Sequence, residues 1–557
     1  MRRSRVVAVT GVSAALLGAL WLALPPTGSD LAAQVARADF FAAHGFAPVD
    51  LRWYGGVQQF GYSFVSPPLM ALLGVRVTGV LALVAAATAF AALLVRAGVP
   101  RPLLGSLVGV VTITGNLVSG RVTYGLGVAF GLAALLALTL PGSPTGPDAR
   151  ARQWRLGPAA AGAMQWRLGL AVAGALLASA TSPVAGLFVG LAGAALLLTR
   201  RYADGLALGV AAALPLGLTA LLFGDGGWMN ISRSDTVRAA LTSLLVAALV
   251  GYRSVRVGAL LSAAGVLVAA LVHTPVGLNA TRLAVMFALP LLAAAARPPA
   301  GLAAWLARRG RTGAPPAPRA TAGGSAPAQG GVAVAVLLAA VCWWQPPVPP
   351  ADLRSIDDPT SRAAYFAPLR AFLDGQRLTG RVEVPPTRNY WEAARLGEVP
   401  LARGWLRQAD IDRNPLFFTT VPGASGTGVT LTAASYRDWL HDNAVQFVAV
   451  PDAPLSWVGR AEAQLVTDGL PFLVPVWSGT HWRVWAVTDP TPIVGVPAEL
   501  VAQDGASVTF RALAAGTVPV RVRHSRWLTA SGGAEVAADG AWTSVTVPHA
   551  GQYRLGS

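Results

Sequence analysis

The sequence is short of charge and nearly free of cysteine. Charged residues make up 12% of its 557 positions, where an ordinary soluble domain carries about 25%. A chain this poor in charge is not soluble and globular along its whole length. The single cysteine, Cys342, lies in an apolar run, which excludes a disulfide framework or a cysteine-based metal site within one chain. Also missing are a glycine-rich phosphate loop, a nucleophile elbow, zinc-ligand spacing and any nucleic-acid motif. The formal charge of +17 would by itself suit nucleic acid. Its arginines cluster in short loops between apolar blocks, so no nucleic-acid partner is expected. That the basic residues are arginines fits a GC-rich coding sequence and has no functional meaning of its own.

What is present is a series of apolar blocks of Ala, Leu, Val and Gly, all before residue 345. Glycine is more frequent in membrane helices than in soluble ones, and a span needs roughly 20 apolar residues. The blocks fall near 6–24, 75–95, 102–118, 122–140, 168–181, 184–199, 203–223, 237–251, 257–273, 282–296 and 331–345. Arg2, Arg3 and Arg5 precede the first, which at about 19 residues is long for the apolar core of a signal sequence and is expected to be a spanning helix. Cytoplasmic loops collect arginine. With the N-terminus inside, the inner loops hold Arg96 and Arg101; Arg150, Arg152, Arg155 and Arg167; Arg200 and Arg201; Arg253 and Arg256; and Arg297, Arg308, Arg309, Arg311 and Arg319. The outer loops hold few. An odd number of spans places residues 346–557 outside. The arms within 168–199, broken at Ser182-Pro183, are expected to be half-length helices, tolerated where protein or water surrounds the break. Residues 312–330 read as a flexible cytoplasmic linker.

The first outer loop, residues 25–74, is the most informative segment. Asp30 follows the first span directly. Leu31, Val35, Ala38, Phe41 and Ala42 recur at helical spacing, with Gln34, Arg37 and Asp39 on other faces, as in a helix lying on the membrane surface. His44-Gly45 ends it. Then come Asp50-Leu51-Arg52-Trp53-Tyr54-Gly55-Gly56 and Ser66-Pro67-Pro68-Leu69. A carboxylate at a membrane boundary is costly unless it faces water or a partner, which makes Asp30 a functional candidate. It is equally placed to cap the helix that follows. Acids such as Asp39 and Asp50 are more often simply solvated.

This loop resembles the first outer loop of the GT-C superfamily of polyprenyl-phosphate-dependent glycosyltransferases. Oligosaccharyltransferase catalytic subunits, protein O-mannosyltransferases and mycobacterial arabinofuranosyltransferases are members. The resemblance rests on Asp30, the helix ending at His44-Gly45, Trp53-Tyr54-Gly55-Gly56 and Pro67-Pro68-Leu69. It implies that Asp30 acts as general base on an acceptor hydroxyl or orients it, with a polyprenyl-phosphate sugar as donor. A second acidic pair found in some members is not evident, and the sequence assigns no cofactor; metal use, a divalent ion in particular, stays open.

Arg121, in Ser119-Gly120-Arg121-Val122-Thr123-Tyr124, and Arg282, after His273 and Asn279, stand outside and break the arginine trend. Guanidinium forks suit phosphate, so a lipid-phosphate role competes with anchoring or a salt bridge within the bundle. The substrate-binding candidates are thus Asp39, Asp50, Arg52, Trp53, Tyr54, Arg121, Tyr124, His273, Asn279 and Arg282. Asp225 and Asp235, flanking Trp228, are an acceptor wall or solvated loop acids. Further on, Arg381–Val384 and Val445–Val450 read as strands and Tyr436–Asn443 as a helix, an α/β pattern. Trp391, Glu392, Arg403, Trp405 and Arg407 are sugar-facing or structural. Short alternating runs at 507–510, 518–522 and 543–547 suggest a small β-sandwich.

The expected architecture is an α-helical polytopic membrane domain of about eleven transmembrane helices (1–345), an extracytoplasmic α/β domain (346–490) and a small C-terminal β-sandwich (491–557). The expected function is a plasma-membrane glycosyltransferase passing a sugar from a polyprenyl-phosphate donor to an envelope glycan, lipid or protein acceptor. A transporter or flippase of lipid-linked precursors competes with it, although repeats and acids within the spans, usual in transporters, are not evident. A non-catalytic scaffold of envelope assembly is the third reading.

Overall fold

The computed structural model describes residues 3–140, 158–297, 326–419, 421, 423 and 429–557, with backbone alone for 158–164 and 326–330. The basic positions Arg2, Arg150, Arg152, Arg155, Arg308, Arg309, Arg311 and Arg319, and most of the linker 312–330, lie outside the described residues. Thirteen described helices precede residue 345: α1 (Arg3–Ala23), α2 (Leu31–His44), α3 (Ser66–Leu73), α4 (Val75–Arg96), α5 (Pro102–Val118), α6 (Val122–Ala137), α7 (Pro158–Thr181), α8 (Pro183–Leu198), α9 (Tyr202–Phe223), α10 (Arg233–Leu249), α11 (Arg253–Leu271), α12 (Arg282–Ala295) and α13 (Ala326–Trp344). Each apolar block of the sequence is helical. α1, α4, α9, α11 and the stretch Gly277–Ala295 are long and apolar enough to cross a membrane, while α5, α6, α8 and Gly331–Trp344 are shorter apolar helices. On α9, Leu206, Val210, Leu214, Leu218 and Leu221 are exposed in one stripe; apolar surface so extended suits lipid and not water. The chain is a multi-pass membrane protein by these helices.

Proline and glycine punctuate the bundle as backbone chemistry requires. Pro102 and Pro183 open α5 and α8, where a missing N–H costs nothing. Helices touch through small residues: a Cβ on Gly193 would meet the backbone of Gly205 and Gly209 at 2.9 Å, the close approach that membrane helices favour. Two expectations are corrected. The first arm of 168–199 is not half-length, because α7 has 24 residues. Arg167 had suggested a loop, but it is buried in the helix and donates to the Leu138 carbonyl at 2.8 Å and to Asp204 at 3.2 Å. A paired arginine need not end a helix. Nor does α2 lie on a surface with its polar face solvated: Gln34 and Arg37 are buried with its apolar residues.

After α13 come α14 (Pro350–Leu353), α15 (Ala363–Asp374), β3 (Arg381–Glu383), α16 (Glu392–Arg395), α17 (Arg407–Arg413), α18 (Ala433–Asp442), β4 (Val445–Pro451), α19 (Trp457–Thr467), β5 (Leu473–Ser478) and β6 (Trp482–Val487); β1 (Val49–Asp50) and β2 (Val57–Gln58) form a small hairpin in the first outer loop. Strand order in the four-stranded sheet is β3-β4-β6-β5, with β3 and β4 parallel. Two further sheets follow. One has the order β10 (Thr529–Ala530), β13 (Gly551–Gly556), β8 (Ser507–Ala512), β7 (Ala498–Gln503); the other β11 (Glu535–Asp539), β12 (Trp542–Val547), β9 (Gly516–Arg523). Val508, Phe510, Val520, Val545 and Leu555 fill the core between them, as alternating strands of a sandwich do.

The loop between α1 and α4 is wedged between the region after α13 and the bundle. Leu51 N–H donates to the Gly505 carbonyl at 2.7 Å, and Arg523 N–H to the Gly55 carbonyl at 2.7 Å. The Trp53 indole donates to the Ala393 carbonyl at 3.3 Å and the Tyr54 hydroxyl to the Gly404 carbonyl at 2.6 Å. The Trp-Tyr-Gly-Gly element is therefore a staple.

Candidate active site

The site begins with two glycines. Gly28 and Gly120 have positive φ values of 103° and 75°. A Cβ on Gly28 would fall on the Ser119 carbonyl, and one on Gly120 on the Leu31 backbone. The segment leaving α1 is thus pressed backbone to backbone on the α5–α6 turn, with Asp30 N–H donating to the Ser119 carbonyl at 3.1 Å. Asp352, on α14, clamps both sides: it accepts from Ser119 Oγ at 2.6 Å and from Ser29 N–H at 3.2 Å. Burial, above all, raises the pKa of its carboxyl. The contact sets Arg121, the residue after Gly120, beside Asp30.

Asp30 occupies the N-cap position of α2 but makes no side-chain capping bond. Its Oδ2 lies 3.1 Å from Arg121 Nε and 3.5 Å from Arg282 Nη2, and its Oδ1 accepts from Ser29 Oγ at 3.0 Å. The carboxylate has turned from the helix end to two cations. Such pairs are worth little in open water, but here all three groups are largely buried. The Arg282 guanidinium also sits over the Tyr124 ring, 5.2 Å from its centre. Gln34 supports the site, accepting from Thr123 Oγ1 at 2.6 Å and donating to the Tyr62 hydroxyl at 3.0 Å.

Ser29, Asp30, Tyr62, Arg121, Tyr124 and Arg282 line a cavity of about 1120 Å³. Leu187, Leu216, Phe223 and Val285 supply apolar wall from α8, α9 and α12. Six arginines (Arg37, Arg121, Arg238, Arg282, Arg388 and Arg407) line it against three aspartates, Asp30, Asp225 and Asp235. An excess of guanidinium suits an anionic ligand. Asp225 accepts from Gln58 N–H at 2.9 Å and pairs with Arg413 at 3.5 Å. Burial outweighs Arg413 and pushes its carboxyl up to about 6. A second cavity, of about 1200 Å³, is bordered by Arg3, Arg96, Arg200 and Arg201; Tyr124 lines both.

Of the residues expected from sequence, Asp30, Arg121, Tyr124, Asn279 and Arg282 line the first cavity. Six others are placed elsewhere. Asp39 is exposed on α2. Asp50 and Arg52 form a buried two-bond ion pair, at 2.9 and 2.8 Å. Trp53 and Tyr54 are the staple already described. His273 stacks on Trp228, ring centres 4.0 Å apart. Trp405 and Arg407 line the cavity, whereas Arg403 is buried against Asp410 and Glu462, at 2.9 and 3.0 Å. Sequence reasoning passed over Arg37, Gln34, Tyr62 and Asp352. Arg37 shares the signal that marked Arg121 and Arg282, an arginine in a segment that the charge pattern assigns to the outside. Among the described residues no group of three or more His, Cys, Asp or Glu is placed to hold a metal ion.

No protein-family model matches the chain, and no curated protein does. Solved structures resemble it in shape. Arabinofuranosyltransferase AftD from mycobacteria matches over 92% of this chain and 41% of its own, at 16% identity and a TM-score of 0.46. ArnT from Cupriavidus metallidurans, bound to undecaprenyl phosphate, matches over 87% of this chain and 97% of its own, at 12% identity and a TM-score of 0.43; its apo state gives 13% and 0.41. The chain thus spans about two fifths of that AftD chain. Identities and scores this low describe shape and say nothing of substrate.

Proposed function

We propose that the chain is a membrane glycosyltransferase of cell-envelope assembly. It would move a sugar from a polyprenyl-phosphate donor to a glycan, lipid or protein acceptor on the outer side of the membrane. The observation that carries this reading is the Asp30 carboxylate bracketed by Arg121 and Arg282 at a cavity with apolar walls. That combination fits a ligand with a phosphate head and a hydrocarbon tail. Arg121 and Arg282 turn to the donor phosphate and offset the charge that grows on it as its bond to the anomeric carbon breaks. Asp30, released from them, takes the proton of the acceptor hydroxyl as its oxygen bonds to that carbon. Asn279, Tyr124, Asp225 and Asp235 border the space left for the sugars.

In this reading the N-terminus is cytoplasmic, and residues 346–490 and 491–557 are two extracytoplasmic domains beside the acceptor. The test is transfer from a polyprenyl-phosphate sugar by purified protein. Asp30→Asn should lower kcat at least ~100-fold, the usual scale of a lost general base. Unchanged transfer would remove Asp30 from the mechanism. Flux of lipid-linked precursor across liposomes, without transfer by the wild type, would select the flippase reading.

A further inference from the structure

Arg37 is buried in α2, 2% exposed, and lines the same cavity as Asp30. The two are about seven positions apart, about two helical turns or roughly 10 Å along the axis, on nearly the same side. Its guanidinium is held over the Tyr62 ring, 4.2 Å from the centre. Nη1 makes one long bond, 3.5 Å, to the Gln59 carbonyl. Nε and Nη2 are buried and meet no acceptor among the described residues. These two nitrogens form one edge of the guanidinium, the edge that grips two oxygens of a phosphate or carboxylate side by side. Buried N–H groups of a cation are costly when unmatched. The cation–π contact fixes the direction of the fork without using its hydrogens. Arg121 and Arg282 differ in this respect, because Asp30 already engages both.

We infer that Arg37 is a second oxyanion site of the cavity, gripping a phosphate through its Nε–Nη2 edge about two helical turns from Asp30. The inference rests on reading the cavity as a substrate site, and not on the role of Asp30. The phosphate has two sources by chemistry, the head group of a lipid donor or a phosphorylated sugar on the acceptor side.

The experiment measures binding of farnesyl phosphate and of glucose 6-phosphate to the full chain in detergent, for the wild type, Arg37→Lys and Arg37→Met. Lysine keeps charge and stem but lacks the fork, so both variants should weaken binding of at least one probe about tenfold or more. Loss confined to farnesyl phosphate assigns the site to the lipid head group, and loss confined to glucose 6-phosphate assigns it to the sugar side. Unchanged binding of both probes in folded variants would overturn the site, as would a wild type that binds neither. Full recovery by Arg37→Lys would overturn the two-oxygen grip. Should Arg37→Met not fold, Arg37→Lys carries the test. Asp30→Asn keeps the two ideas apart: it should lower transfer at least ~100-fold and leave the Arg37-dependent binding intact.

Discussion

The indole N–H of Trp405 donates to the carbonyl of Ser29 at 3.0 Å, joining residues 376 positions apart. Ser29 is the residue before Asp30, so the region after α13 is bonded directly to the segment that presents the carboxylate. Trp405→Phe should remove this bond while keeping an aromatic ring against Tyr62, now 6.1 Å away centre to centre. Stability should fall by about 1 kcal/mol, the usual net worth of one hydrogen bond. Transfer should fall more than that loss explains, by roughly tenfold, because small misplacements are amplified in catalysis. Melting temperature and kcat/KM, measured together, check it.

Arg121 and Arg282 share one oxygen of Asp30. Arg121→Met and Arg282→Met should each lower kcat/KM for the donor by about 10- to 100-fold. The double variant should lose less than the product of the two, since groups with a common partner are not additive. A double-mutant cycle on kcat/KM decides; strict additivity would argue against a shared role.

The two glycines at the Asp30 contact predict a sharp contrast with another. Gly120→Ala puts a Cβ into the Leu31 backbone at a φ of 75°. Gly98 also has positive φ, 62°, but its Cβ would meet nothing within 4 Å. Gly98→Ala should cost about 1 kcal/mol, the strain of the left-handed region alone. Gly120→Ala should cost more than about 3 kcal/mol, beyond the ordinary range for one substitution, and should abolish transfer. Thermal unfolding of the two variants gives the comparison.

Glu392 predicts a pH dependence of the region after α13. It is buried and accepts from the Thr387 hydroxyl at 2.5 Å, yet burial pushes its carboxyl up to about 8 from 4.5. The folded form holds this proton more tightly than the unfolded form. Its contribution to stability is therefore complete below about 4.5 and is lost as pH rises through about 8. Glu392→Gln mimics the neutral acid and should remove this slope. The melting temperature of the wild type should fall from acid to mildly alkaline pH by more than that of the variant; parallel curves would contradict the assignment.

Much of the fold was legible because it is locally encoded. A run of Ala, Leu and Val needs no distant partner to be apolar, and each such run is helical. The alternating runs near 507, 518 and 543 are strands for the same reason. The start of α7 was misjudged because Arg167 looks like a loop residue until Leu138 and Asp204 are seen beside it. The polar face of α2 was expected in water because its periodicity shows which side is polar, not what covers that side.

The sequence by itself determined where apolar segments begin and end, and that an acid stands directly after the first of them. Arg121 and Arg282 were visible too, as exceptions to the charge pattern. Only the tertiary structure decided which of these meet. Arg121 and Arg282 are 91 and 252 positions from Asp30, and nothing in spacing distinguishes them from Arg52, which pairs with Asp50 instead. The physical reason is that periodicity specifies a face, while a site is made by faces packed together. Here the backbone contact at Gly28 and Gly120, clamped by Asp352 and tied by Trp405, sets the carboxylate of Asp30 between its two cations.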